Sequence, residues 1–265
     1  MASFDWVKNL DFSKPFDISI PLSNGENNPR AFGISHPVFS AFQGKNFVGD
    51  VSKGGACNVT NIFFSPHGNG THTECFGHLG IGAENQVFRE GFGVQDCFKI
   101  RDAISVFWFK ALLITVQPSI VEQGSVQRYI YKSDIENSLI GSMSGIKPEA
   151  LIVRTLPNNL DKLSCDYTNL NPPAFDPEAL EFLCDQSILH LITDLPSVDP
   201  ENDGGSLAAH KKFWGENYAA RYNATITELA YVPNCIPDGF YGLNLMLCNL
   251  ETEVSPSRPV LYPYL

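Results

Sequence analysis

The sequence has few cationic side chains. Lys and Arg together number 18, whereas Asp and Glu number 29, so the formal net charge is −11. Proteins that bind DNA or RNA non-specifically neutralise backbone phosphates with Lys and Arg, and this chain has the opposite balance. We therefore expect no nucleic-acid partner. The acidic charge says little about whether the protein acts on a small molecule, so that question stays open.

The sequence also lacks a Cys-x-x-Cys pair, a long apolar run and a signal peptide. Without paired cysteines, a zinc ribbon or a thioredoxin-like motif is not expected, and the seven scattered cysteines fit reduced thiols in a cytosolic protein. No apolar run is long enough to span a bilayer. The amino terminus has neither the charged start nor the apolar core of a secretory signal. These absences predict a cytoplasmic protein with no membrane partner.

Strands and helices interleave along the chain without a clean repeat, which predicts a single mixed α/β domain over 1–265 with a polar lead-in at 1–15. No Gly/Ser-rich or Pro-rich linker separates two halves. Strands are predicted at 16–22, 58–64, 107–116, 151–155, 188–192, 226–232 and 240–249. One helix is predicted to start at Ser133 as its cap. Two others are predicted over 175–183, with Asp176 as the cap, and over 207–222. His190, inside a buried strand, is predicted to be a hydrogen-bonded core histidine.

The densest group of chemically active residues lies between His67 and His78, which holds three of the six histidines and one carboxylate. His72 and Glu74 are two residues apart, so in an extended chain their side chains point to the same side. The run Gly-Asn-Gly after His67 can turn the backbone sharply, because glycine and asparagine tolerate positive φ. Such a turn could bring His67 back beside His72.

Imidazole nitrogen and carboxylate oxygen are ligands that suit zinc, manganese or iron(II). The alternative is three unrelated histidines on a glycine-rich surface loop, since loops collect polar residues for many reasons. The density of the cluster, and the apolar run Ile62-Phe63-Phe64 that leads into it, favour the metal site.

The string His-x-x-Gly-Thr-His-x-Glu-x-x-x-His at 67–78 resembles the signature of the cyclase family of metal-dependent hydrolases, usually His-x-Gly-Thr-His-x-Asp-x-Pro-x-His. That family contains bacterial kynurenine formamidase and isatin hydrolase. The resemblance runs from about residue 16 to the carboxyl terminus. Its other landmarks are Asp17-Ile18-Ser19 in the opening strand, Ile152 to Thr155 in the central strand, Leu195 to Pro200 as the Pro-Ser-Val-Asp segment, and a second-half histidine and glutamate, His210 and Glu228.

The resemblance implies a swivelling β/β/α domain, with a mixed sheet and flanking helices, that forms a homodimer. It implies one or two divalent ions, Zn²⁺ or Mn²⁺, at the site. By position, it implies that His78 is the general acid/base and that the metal ligands are His67, His72, Glu74, His210 and Glu228, with Glu74 bridging if two ions bind.

Three departures from the usual signature distinguish this chain. One extra residue separates His67 from His72, so whether His67 ligates stays open. Glu74 replaces an aspartate and moves the carboxylate outward by one methylene. Phe76 and Gly77 occupy the positions of the family's proline and its neighbour. These changes predict a subgroup whose substrate differs from N-formylkynurenine.

The expected function is hydrolysis of an amide bond, of the arylformamidase or cyclic-amide type, by a metal-activated water with His78 as acid/base. A hydrolase of another ester or lactone is a close alternative. A second alternative is acyl transfer through Cys75 as nucleophile, since it lies between His72 and His78. A third is a metal-binding protein of the same fold that has lost catalysis.

Overall fold

The computed structural model describes residues 4–81, 97–123, 125–140, 147–215 and 221–265. Residues 216–220 of the helix predicted over 207–222 lie outside these ranges.

The described residues form fifteen strands and five α-helices. The strands are β1 (Phe16–Asp17), β2 (Val38–Ala41), β3 (Gln43–Gly44), β4 (Phe47–Val48), β5 (Thr60–Phe63), β6 (His72–Glu74), β7 (Trp108–Val116), β8 (Ser119–Gln123), β9 (Ser125–Ile130), β10 (Ala150–Thr155), β11 (Ala174–Phe175), β12 (His190–Thr193), β13 (Thr225–Glu228), β14 (Gly239–Leu247) and β15 (Val254–Pro263). The helices are α1 (Pro66–Asn69), α2 (Ile100–Ala103), α3 (Lys132–Ile140), α4 (Pro177–Asp185) and α5 (Ala208–Trp214).

Seven strands close into a mixed ring. Their order is β15-β14-β7-β10-β12-β13-β6, and β6 pairs back onto β15 to complete it, while β1 extends the sheet from β15. The four strands β7, β10, β12 and β13 are parallel, whereas β14, β15 and β6 join by antiparallel pairing. The α/β class with a mixed sheet is confirmed. The swivelling β/β/α description stays a prediction.

Continuous apolar runs explain why the parallel strands are buried on both faces. Alternate residues of β7 and β10, such as Leu112 and Leu151, cluster with apolar residues of α3, α4 and α5. Their neighbours, such as Leu113 and Ile152, cluster instead with Leu243 of β14 and Leu261 of β15. Because side chains alternate along each strand, one face of the sheet packs against the helices and the other face packs into a second apolar core.

The predicted central strands are confirmed to within a few residues, and so is the helix after Asp176, whose carboxylate accepts a hydrogen bond from the Glu178 N–H. The predicted Ser133 cap is wrong. Helix α3 begins one residue earlier, and it is the Asp134 carboxylate that accepts a hydrogen bond from the Tyr131 N–H. All seven cysteines are free. Among the described residues, no helix has the length and hydropathy needed to cross a bilayer.

The strand β15 was not predicted, and its three prolines locally oppose a strand. The prolines lack an N–H, but their carbonyl groups still accept hydrogen bonds. The Pro259 carbonyl accepts from the Ile18 N–H, and the Pro263 carbonyl accepts from the Asp11 N–H. Since β15 pairs with β1, β14 and β6, this missed strand is what closes the ring.

His190 gives a prediction about stability. Its ring lies in the core, where Nδ1 is 2.9 Å from Thr225 Oγ1, so the expectation of a hydrogen-bonded core histidine is confirmed. Burial, with a smaller contribution from Arg221, lowers the pKa of His190 to about 3. The unfolded chain therefore binds a proton here below its ordinary pKa of about 6.5, and the folded chain does not until near pH 3.

We expect this group to remove about 1.4 kcal/mol of unfolding free energy for each pH unit below about 6.5. The measurement is denaturant unfolding of the wild type and His190→Asn between pH 7 and pH 4. The wild type should lose more stability on acidification than the variant. Equal pH dependence of the two proteins would contradict the assignment.

Candidate metal centre

The short strand β6 carries two of the predicted ligands on one face. Because side chains alternate along a strand, His72 and Glu74 point to the same side, whereas Thr73 points to the other and hydrogen-bonds Thr227. In the pairing of β6 with β13, His72 lies directly opposite Glu228. The sheet register therefore brings a carboxylate from the second half of the chain beside the histidine motif.

His67 reaches the same place from a single helical turn. The turn predicted from Gly-Asn-Gly forms, but not through positive φ: Gly68 and Asn69 belong to α1, and Gly70 is extended with φ of 169°. Gly68 is closely packed, since a Cβ there would lie 2.7 Å from Ile34 Cδ1 and 3.1 Å from Ile34 Cβ, so a larger residue would require Ile34 to shift. The turn sets the rings of His67 and His72 5.3 Å apart between centroids.

Glu74 lies at the centre of the cluster. Its Oε1 is 2.8 Å from Nε2 of His210, and its Oε2 is 3.4 Å from Nδ1 of His67 and 3.6 Å from Nδ1 of His78. Beside it, Nε2 of His72 is 3.3 Å from Oε2 of Glu228, and Nε2 of His210 is 3.7 Å from Oε1 of Glu228. All six residues named from the sequence therefore meet.

Two of the buried histidines are held through Nδ1 and direct Nε2 into this cluster. The Nδ1 atom of His72 is 2.9 Å from the Gly70 carbonyl, to which it donates, so its Nε2 carries the lone pair. The Nδ1 atom of His210 is 2.5 Å from Asp199 Oδ2, which leaves Nε2 facing the carboxylates. Metal-ligating histidines are commonly fixed by such a hydrogen bond on the ring's other nitrogen.

The segment from Leu195 to Pro200 orients both second-half residues. The Val198 N–H donates to Oε1 of Glu228 at 2.8 Å. Asp199 accepts from the N–H groups of Ala209 and His210 at the start of α5, as well as from the His210 ring. One loop thus holds the glutamate of β13 and the histidine of α5 in place.

His78 differs from the other three histidines. It follows β6 on a short 3₁₀ turn, and its side chain is 26% exposed. Its Nδ1 faces Glu74, but within the described residues its Nε2 has no hydrogen-bond partner. A partly exposed and unanchored imidazole can exchange protons with solvent or with a bound molecule more readily than the anchored rings.

The pKa values of several cluster residues are shifted because buried carboxylates pack against imidazole rings. Burial opposes the charge on Glu74, but His78 and His210 outweigh it and hold the pKa of Glu74 well below its usual range. Burial favours neutral His210, yet Glu74 and Asp199 raise the pKa of His210 well above its usual value. Burial lowers the pKa of His78. The buried negative charges therefore call for a cation, whether a proton or a metal.

Two unpaired atoms test whether a metal fits. Within the part of the chain that the structure describes, both Nε2 of His72 and Oε2 of Glu74 are buried without a hydrogen-bond partner, which is costly unless something else binds them. Two donor sets share Glu74, and in each set the ligand atoms lie within 4.8 Å of one another: His67, Glu74 and His78, and His72, Glu74 and Glu228. The donors are nitrogen and oxygen, as zinc and manganese sites use. The residues fit a divalent ion.

The structure adds two residues that the sequence did not assign to the site. Asp199 belongs to the predicted Pro-Ser-Val-Asp segment, so a signal for it existed, but only its contact with His210 shows what it does. Glu253 lies in an acidic loop before β15 and contacts His67. Nothing in its local sequence distinguishes it from other surface glutamates, because the contact depends on the ring closing.

Cys75 points away from the cluster. It is fully buried, and its thiol lies against the carbonyl groups of Phe98 and Glu253. Burial raises the pKa of Cys75, and a protonated thiol is a poor nucleophile. The geometry argues against Cys75 as a nucleophile. Phe76 is also core, stacked on Phe98 at 4.4 Å between ring centroids, so this departure from the family signature packs the interior.

Comparison with known proteins agrees with this geometry. The family described as "Putative cyclase" matches residues 16–200. No curated protein sequence matches the chain. A predicted metal-dependent hydrolase from Bacillus stearothermophilus has a similar structure, with 15% identity, a TM-score of 0.59, and coverage of 94% of this chain and 98% of that one.

Two isatin hydrolases also have structures similar to that of this chain. Isatin hydrolase A from Labrenzia aggregata, solved with benzyl benzoate, has 16% identity and a TM-score of 0.62, and the match covers 95% of this chain and 94% of that one. Isatin hydrolase A from Ralstonia solanacearum has 14% identity and a TM-score of 0.62, with coverage of 94% and 91%. At these identities the likeness is one of fold.

Proposed function

The chain belongs to the cyclase family, and on that premise we propose that it is a metal-dependent hydrolase that cleaves an amide bond in a small molecule. The amide is of the arylformamidase or cyclic-amide type. The observation that carries the proposal is the shared carboxylate of Glu74, around which His67, His72, His78 and His210 converge.

The protein's own groups divide into a buried side and an open side. His72, Glu74, Glu228 and His210 are buried and held by the sheet and by the 195–200 loop, so they are suited to hold an ion in a fixed position. His67 and His78 are 23% and 26% exposed on the remaining side. Catalytic metal sites keep an open position for water and substrate, and this side supplies it.

A divalent ion in this site would supply Lewis acidity, which lowers the pKa of water from about 15.7 towards about 7 and polarises a carbonyl group. His78 faces Glu74 across 3.6 Å through Nδ1, is partly exposed, and has no hydrogen-bond partner at Nε2 among the described residues. It is placed to accept a proton from the attacking water and to deliver it to the leaving nitrogen. His210 is held by Asp199 at Nδ1, which keeps its Nε2 directed at Glu74.

Two similar structures support a cyclic-amide substrate. They are named isatin hydrolases, and isatin is a cyclic amide. An ester or lactone substrate uses the same attack on a carbonyl carbon, and it is the closest alternative. A metal-binding protein without turnover is the other alternative, which the extra residue before His72 favours.

We further propose a homodimer in the cytoplasm. The resemblance to the cyclase family supports the homodimer, and seven free cysteines support a reducing compartment. Sedimentation of the purified protein tests the assembly, and a monomer at micromolar concentration would contradict it.

Removal of the metal should abolish activity. We expect purified protein to hydrolyse at least one member of a panel of formanilides, isatins, lactones and aryl esters. Dialysis against a chelator should reduce that rate to background, and Zn²⁺ or Mn²⁺ should restore it, because the bound ion is what lowers the pKa of the attacking water towards neutrality. Hydrolysis unaffected by chelation would contradict the proposal. Stoichiometric metal with no turnover on the panel would favour the binding protein.

A further inference from the structure

Glu253 is fixed beside the histidine motif by the strand pairing that closes the ring. It immediately precedes β15, whose first residue, Val254, lies opposite Glu74 in the register. The Cys75 N–H donates to the Glu253 carbonyl at 3.1 Å. The backbone of Glu253 is thus tied to the residue that follows Glu74, although the two lie far apart in the sequence.

The Glu253 side chain contacts the ring of His67. Its Oε1 is 3.2 Å from Nε2 of His67, while Nδ1 of the same ring is 3.4 Å from Oε2 of Glu74. A neutral imidazole has one N–H and one lone pair. If Nε2 donates to Glu253, the lone pair on Nδ1 is directed at the centre of the cluster.

The geometry points to Glu253 as the positioning residue of His67, which sets the tautomer and direction of that ring so that Nδ1 is its ligand atom. This rests on the proposed metal site. The same arrangement holds the other buried rings: the Gly70 carbonyl fixes His72, and Asp199 fixes His210. With Glu253 included, His67, His72 and His210 are each anchored through the ring nitrogen that faces away from Glu74.

His67 needs such an anchor more than the other two. It sits on a single helical turn of four residues, and a turn of that length has little stability of its own. Its ring is also partly exposed, and one additional residue separates it from His72. A carboxylate on the opposite side of the ring restricts its rotation and makes Nδ1 a stronger electron donor.

Zinc affinity tests this role without relying on turnover. Apo protein is titrated with Zn²⁺ in competition with a chromophoric chelator. Glu253→Ala should weaken Zn²⁺ binding by about 10–100-fold, the usual effect of losing the partner of a ligating histidine. Glu253→Gln retains an oxygen that can accept from Nε2 and should keep most of the affinity. Equal affinity of Glu253→Ala and wild type would overturn the assignment.

The His67→Ala background separates a role through His67 from a general one. If Glu253 acts through that ring, adding Glu253→Ala to His67→Ala should cause no further loss of Zn²⁺ affinity. A loss of the same size in both backgrounds would overturn it. Wild type that binds no Zn²⁺ would instead refute the proposed function, so the two failures are distinguishable.

The tautomer can also be read in the wild type, where no substitution affects folding. The ¹⁵N chemical shifts of His67 in the zinc-loaded protein report which ring nitrogen carries the proton. We expect the proton on Nε2. A proton on Nδ1 would overturn the inference whatever the variants show.

Discussion

Replacing Glu74 with glutamine is expected to remove the bound metal and to lower turnover about 10³-fold. A bound ion contributes several kcal/mol of transition-state stabilisation, and about 1.36 kcal/mol corresponds to a factor of ten in rate. Glutamine keeps the size of the side chain but removes the one charge that both donor sets share. The measurements are metal content by elemental analysis and the rate on the best substrate.

Two variants serve as controls for that result. Glu181→Gln changes an exposed glutamate paired with the exposed Lys212, neither of which belongs to the cluster, and should leave metal and rate unchanged. Glu74→Asp introduces the residue usual in the family. Because β6 is paired on both sides, its backbone cannot move to compensate for the lost methylene group. The shortened side chain should therefore bind metal with intermediate affinity. Full metal content in Glu74→Gln would contradict the shared-carboxylate assignment.

Replacing His78 with alanine is expected to keep the metal and to lower turnover by about 10²–10⁴-fold, the usual contribution of a general acid/base. His78 is the one cluster histidine whose second nitrogen is unanchored among the described residues, so its loss removes a proton carrier and not a support. His72→Ala is the matched comparison, since its buried Nε2 faces Glu228, and it should lose metal.

The outcome for His78 decides between two roles. Its Nδ1 belongs to one of the two donor sets, with His67 and Glu74. If His78→Ala loses metal to the same extent as His72→Ala, His78 is a ligand, and the acid/base assignment is wrong. Retained metal with an unchanged rate would contradict both roles.

The local part of the site was predictable from the sequence. The spacing of His72 and Glu74 requires a common face in any strand, and β6 has that geometry. The pairing of distant residues was not derivable from spacing. His210 lies 136 residues from Glu74, and only the resemblance to the cyclase family indicated that they meet. The sheet register supplies the physical reason for the other pair, because it places Glu228 opposite His72.

The features of the fold and the site that the sequence did not predict depend on long-range packing. Strand β15 contains three prolines that locally oppose a strand, and it forms because neighbours donate to its carbonyl groups and pair along both edges. Glu253 reaches His67 only after β15 pairs with β6. Gly68 packs closely against the side chain of Ile34, a contact that no local pattern reveals. In each case a tertiary neighbour decides what the local sequence leaves open.

Diffraction data collected at the absorption edge of the metal found by elemental analysis test the central claim most directly. The account predicts at least one ion per chain, with an anomalous peak between Glu74, His72 and Glu228 and with one coordination position not filled by the protein. Metal-loaded crystals with no peak among these side chains, or with an ion whose every position is occupied by protein atoms, would contradict it.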